Sequence, residues 1–82
     1  MIKEKILCFI QNDYPDVKMD DIFTSSQTLY EIFAFDSIEF VRFIVEIENI
    51  IDIKLTNPEI FNMNLTFNEF FSLVEYSLIN TN

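Results

Sequence analysis

The chain is predicted to be an all-α protein, a bundle of three main helices plus one short helix, with a long loop between helices one and two. Three observations predict it. Apolar residues recur three and four positions apart in three separate segments, and capping residues stand just before the later ones. The only strand-like run, Ile53-Lys54-Leu55, is too short to make a sheet. At 82 residues the chain is sized for one hydrophobic core, and residues 1–82 are read as a single domain without internal repeat or low-complexity tract.

In chain order, Ile2, Ile6, Phe9 and Ile10 mark a first amphipathic helix with Lys3, Glu4, Lys5 and Gln11 on its other side. It should stop near Asn12 and Asp13, because Pro15 disfavours helical geometry at Tyr14. Residues 13–28 read as a long connection whose apolar members Val17, Met19, Ile22 and Phe23 lay it across the core. Thr28 and Glu31 have the spacing of a capping box ahead of Leu29, Ile32 and Phe33, so a short helical turn is expected inside the connection. The central helix runs from Asp36 to Ile51, with Phe40, Phe43, Ile44, Ile47, Ile50 and Ile51 as a wide apolar stripe and Asp36 with Glu39 as its cap. Asn57-Pro58 reads as cap and first position of a short helix through about Asn62. Thr66 and Glu69 cap the last helix, whose core positions are Phe67, Phe70, Phe71, Val74 and Leu78.

Composition removes most chemistries. Half of the residues are hydrophobic and ten are Phe, which excludes a disordered chain. There is no Gly, His or Trp, so glycine phosphate loops and imidazole catalysis are absent. The lone Cys8 lacks a base partner and, on a helical apolar face, reads as a small core residue. Asp13, Asp16, Asp20 and Asp21 lack the glycine and terminal Glu of a calcium loop and read as a solvated acidic loop. No catalytic or metal site is expected. The net charge of −9 repels nucleic acid and anionic lipid and favours basic partners. The start Met1-Ile2-Lys3-Glu4-Lys5 carries no long apolar run, and no window approaches a membrane span, so a soluble, cytoplasmic protein is expected.

One segment stands out against this background. Phe35-Asp36-Ser37-Ile38-Glu39-Phe40-Val41 resembles the Asp-Ser-Leu motif of acyl and peptidyl carrier proteins, with Ile38 in the place of Leu. The resemblance extends over nearly the whole chain, since helix, long loop, central helix, short helix and last helix come in that family's order. It implies an acyl-carrier-like bundle in which Ser37 receives 4′-phosphopantetheine from coenzyme A through a phosphopantetheinyl transferase. Acyl- or aminoacyl-loading and condensing or transfer enzymes with basic docking surfaces would be the further partners. The protein would then be no enzyme but a monomeric, stand-alone carrier, a substrate of its partners that holds intermediates as thioesters.

The residues themselves bear on this implication. A serine in the first turn of a helix faces unsatisfied amide N–H groups and the positive end of the helix dipole, which favour a phosphate. The alternative is that Ser37 is simply a helix-start residue, of a type that suits helix starts. Ile38, Val41 and Val45 form a second apolar stripe on the central helix; they are either an exposed docking patch beside Ser37 or core, if both flanks are buried. Asp36, Glu39, Glu46 and Glu48 surround it as charges for basic partners, and Arg42 interrupts the row. Arg42, at a position acidic in many fatty-acid carriers, and Ala34, where the family often has a glycine nearby, suggest a specialised pathway such as polyketide, nonribosomal peptide or D-alanyl transfer, with fatty-acid synthesis as the other possibility. A Phe-filled core leaves little room for a buried acyl chain, which favours short or polar cargo. The competing function is an unmodified acidic helical adaptor, in which Ser37 is never used.

Overall fold

The periodicity of the first segment produces α1, Ile2–Asp13, which turns Ile6 and Ile10 fully inward and leaves Ile2 and Phe9 half-buried. The computed structural model describes residues 2–80. Pro15 ends the helix as expected, while the Tyr14 N–H still donates to the Ile10 carbonyl at 2.8 Å and closes the last turn.

The connection of residues 14–28 is pinned to the core by buried Ile22 and half-buried Val17, Met19 and Phe23. It turns at Asp21, which takes the left-handed conformation at φ 61° and whose carbonyl accepts from the Thr24 and Ser25 N–H groups. Next comes α2, Leu29–Phe33, opened by the Thr28/Glu31 capping box and closed by Ala34 at φ 55°. The central helix α3, Ser37–Ile51, has Asp36 as its N-cap and Asp52, left-handed at φ 59°, as its C-cap. In a chain without glycine, Asp21, Asp52 and Ala34 occupy the left-handed positions among the described residues; aspartate tolerates that region, and the alanine carries local strain. The last helix, α4, Phe67–Ile79, starts at the Thr66/Glu69 box.

The expected helix from Pro58 through about Asn62 is only a 3₁₀ turn, Pro58–Ile60, capped by the Asn57 side chain. Just beyond this turn the backbone is paired with another part of the chain. The Leu65 and Met63 carbonyls accept from the Leu29 and Tyr30 N–H groups at 2.8 and 3.0 Å, pairing this segment with the start of α2 around a Thr28–Thr66 bridge. Asn62 meanwhile accepts from the Asn64 N–H through its side chain.

α1 packs on α3, and one core cluster joins Ile6, Ile10, Leu29, Phe35, Phe43, Ile47, Ile60, Phe67, Phe70 and Val74, among others. Phe43 is its aromatic centre, with ring centroids 5.0 to 5.9 Å from Phe9, Tyr14, Phe33, Phe35 and Phe70. Among the described residues no helix is long and apolar enough to cross a membrane.

Candidate functional site

The site is built at the start of α3. Asp36 accepts the Glu39 N–H on Oδ1 at 2.7 Å, and its own N–H donates to Glu39 Oε1 at 3.0 Å. This reciprocal pair satisfies two amide donors at the helix entrance. Ser37 is therefore the first residue inside the helix and not its cap. It is exposed, and its hydroxyl makes no hydrogen bond among the described residues. Asp36 is the cap, as its spacing from Glu39 predicts, and Ser37 is a helix-start residue that does no capping.

Phe35, just before the cap, holds the segment down. It is 2% exposed, stacks on Phe33 at 4.8 Å and lies 5.8 Å from Phe40, centroid to centroid. That Phe35–Phe40 contact joins the residue before the cap to the fourth helical residue, a hydrophobic staple that fixes the angle at which the chain enters the helix. With Phe35 inside and Asp36 capping, Ser37 is left on the outside.

The second apolar stripe is exposed: Ile38 is 72%, Val41 52% and Val45 42% accessible. The core of α3 is supplied instead by Phe40, Phe43, Ile44, Ile47 and Ile51. At about 100° per residue, Val45 and Val41 lie roughly 20° and 60° to one side of Ile38 around the helix. Ser37 lies on that same side, roughly 40° beyond Val41. On the other side come Arg42 at roughly 40°, Glu46 at roughly 80° and Glu39 at roughly 100° from Ile38. Going round the outer face, the order is thus Ser37, apolar stripe, Arg42, acidic flank. Asp36, Glu39, Arg42 and Glu46 are all exposed.

Glu48 departs from the expected acidic row. Its Oε2 accepts the Leu55 N–H at 2.8 Å, Lys54 Nζ stands 3.9 Å from its Oε1, and its side chain is only 13% accessible. It ties the chain after α3 back onto the helix and is not free to meet a partner.

Tyr14, which helical spacing does not single out, borders the acidic flank. Its ring lies against Phe9, Phe33, Phe35 and Phe43. Burial, reinforced by Asp13, Glu39 and Glu46 and opposed by Arg42, raises its phenol above the ordinary value. No period marks it in the sequence, since most of the rings it meets come from residues 33 to 43.

An apolar groove of about 460 Å³ opens elsewhere, between α1 and the connection, lined by Leu7, Cys8, Met19, Ile22 and Phe23 among others and by no residue of α3. Lys3 lies over the Phe23 ring at its edge, 4.4 Å from the centroid. Among the described residues no three acidic or cysteine side chains converge as metal ligands. No family model, curated protein or solved structure matches the chain.

Proposed function

We propose that the protein is an acyl or aminoacyl carrier whose Ser37 accepts 4′-phosphopantetheine from coenzyme A, and that it works in the cytoplasm as a substrate of its partner enzymes. The observation that carries this reading is the division of labour at the start of α3. Asp36 and Glu39 do all the capping, so the adjacent serine hydroxyl is exposed and unbonded, although a serine there would ordinarily be explained by capping alone.

The surroundings suit the attachment. The Glu39 and Phe40 N–H groups are taken by Asp36, while those of Ser37 and Ile38 have no partner within the helix and lie at the positive end of its dipole. In the transfer, the Ser37 oxygen bonds to the phosphorus of the pantetheine-bearing phosphate and the bond from that phosphorus to the oxygen bridging the two phosphates breaks. Adenosine 3′,5′-bisphosphate leaves, and the hydroxyl proton passes to the transferase. Ser37 needs an outside base because the chain holds no histidine. Once attached, the group supplies a thiol on which acyl or aminoacyl units travel as thioesters.

The exposed stripe Ile38, Val41 and Val45 is the docking patch in this reading, next to the serine that the partner must reach. Cargo stays short or polar, since aromatic rings fill the core beside α3. A direct test is labelling with a fluorescent coenzyme A analogue and a broad-specificity phosphopantetheinyl transferase, then peptide mapping. The label is expected on the peptide containing Ser37. Absence of label with several transferases would favour the unmodified adaptor.

A further inference from the structure

We infer that Arg42 sets which partners this carrier accepts: the cognate enzyme presents a carboxylate to Arg42 beside the basic groups that meet Glu39 and Glu46. The inference rests on the carrier reading of Ser37 and concerns the chemistry of the enzyme that docks on α3.

Its basis is the position of one cation. The chain has five Lys and Arg residues, and Arg42 is the only one within α3. It sits between the exposed stripe of Ile38, Val41 and Val45 and the exposed acids Glu39 and Glu46. A partner that covers the stripe and reaches the acidic flank must pass over the guanidinium. The spacing would allow Arg42 to neutralise itself against Glu39, three residues before, or Glu46, four residues after. It does neither; the only ion pair within 4.0 Å among the described residues is Lys54 with Glu48. The failure has a physical reason. Glu39 holds the Asp36 N–H on its Oε1, Glu46 stands in the less favourable order, with the cation four residues before the acid, and such exposed pairs contribute little in any case. The guanidinium is consequently available as a planar, always-charged donor to an opposing carboxylate.

A partner with a wholly basic docking surface would bury a like charge against Arg42 while gaining attraction at Glu39 and Glu46. A partner with a basic surface interrupted by one acid would match the whole face. Charge juxtaposition at a docking rim acts on association rate and salt dependence, so discrimination between two such partners appears in the rate of encounter.

The test compares four proteins, the wild type, Arg42→Lys, Arg42→Gln and Arg42→Glu, as substrates of one broad-specificity phosphopantetheinyl transferase chosen for a wholly basic carrier-docking surface. The reading is kcat/KM for transfer from coenzyme A at low and high salt. Arg42→Glu is expected to be modified about tenfold faster than wild type, Arg42→Gln to fall between, and Arg42→Lys to match wild type, with the differences shrinking in high salt. Changing to Glu the transferase Lys or Arg that faces position 42 should reverse the order. Equal rates for all four proteins, or a slower Arg42→Glu, would overturn the inference while leaving the carrier function standing. If none of the four is modified, the carrier function falls and this inference with it. Circular dichroism of each variant separates a docking effect from misfolding.

Discussion

The sharpest consequence of the geometry at the start of α3 is that two adjacent residues, Asp36 and Ser37, should behave oppositely when each is replaced by alanine. Asp36→Ala removes the 2.7 Å bond to the Glu39 N–H and dismantles the reciprocal contact of Glu39 with the Asp36 N–H. Loss of an N-cap of this kind costs about 1 kcal/mol, and loss of a negative charge at the helix start adds about 0.5 kcal/mol. With a urea dependence of about 1 kcal/mol per molar for a domain of this size, the unfolding midpoint should fall by about 1.5 M. Ser37→Ala removes no hydrogen bond and places a better helix former at an exposed first-turn position, so its midpoint should stay within about 0.5 M of wild type. Urea titrations monitored by far-UV circular dichroism measure both. If Ser37→Ala lowers the midpoint as far as Asp36→Ala does, the serine is a structural residue and the division of labour is refuted.

Three further outcomes are expected of the same structure. Ala34→Gly relieves a left-handed alanine at the end of α2 and should raise stability by up to about 1 kcal/mol, seen as a melting temperature several degrees higher; a drop in melting temperature would show that the φ of 55° carries no strain. Ile38→Ser and Val41→Ser remove exposed apolar surface, so stability should change by less than about 0.5 kcal/mol while kcat/KM for phosphopantetheine transfer falls about tenfold. Unaltered transfer would detach the stripe from docking. Tyr14 has its phenol raised by burial, so the folded state holds this proton more tightly than the unfolded chain does. Its contribution is intact below the ordinary tyrosine value and is lost as pH rises through the raised one. Melting curves across the alkaline range should accordingly show a smaller loss of stability for Tyr14→Phe than for wild type, and equal losses would contradict that environment.

The three main helices and their caps were legible in the sequence, although Ile50, counted in the central stripe, is only half-buried. The stripe Phe40, Phe43, Ile44, Ile47 and Ile51 lies buried, and the boxes at Thr28, Asp36 and Thr66 all form, because both signals are local and depend only on residues three or four apart. Phe35, Tyr14 and Leu55 are core or near-core residues outside any helix, where no period marks them. Phe35 had a usable signal nonetheless, as an apolar residue directly before a cap and five before Phe40, the spacing of a staple. The pairing of Leu29 and Tyr30 with Leu65 and Met63 joins segments distant in sequence, so no local pattern marks it, and the Pro58 segment proved to be a 3₁₀ turn shorter than its cap suggested.

At the site, the sequence placed Asp36 as the cap and Ser37 in the first turn but left open whether Ile38, Val41 and Val45 were buried. That depends on three-dimensional context, on which side of α3 the other helices cover. Glu48 was misassigned to the acidic row for the same reason, since its partner, the Leu55 N–H, lies beyond the end of the helix.

The central claim, that Ser37 is the attachment point of a phosphopantetheine arm, is tested most directly by intact mass spectrometry. Wild type and Ser37→Ala would each be weighed before and after incubation with coenzyme A and a broad-specificity transferase. The account predicts a gain of one phosphopantetheine on the wild type and none on Ser37→Ala. No gain on folded wild-type protein with several transferases, or an equal gain on both proteins, would contradict it.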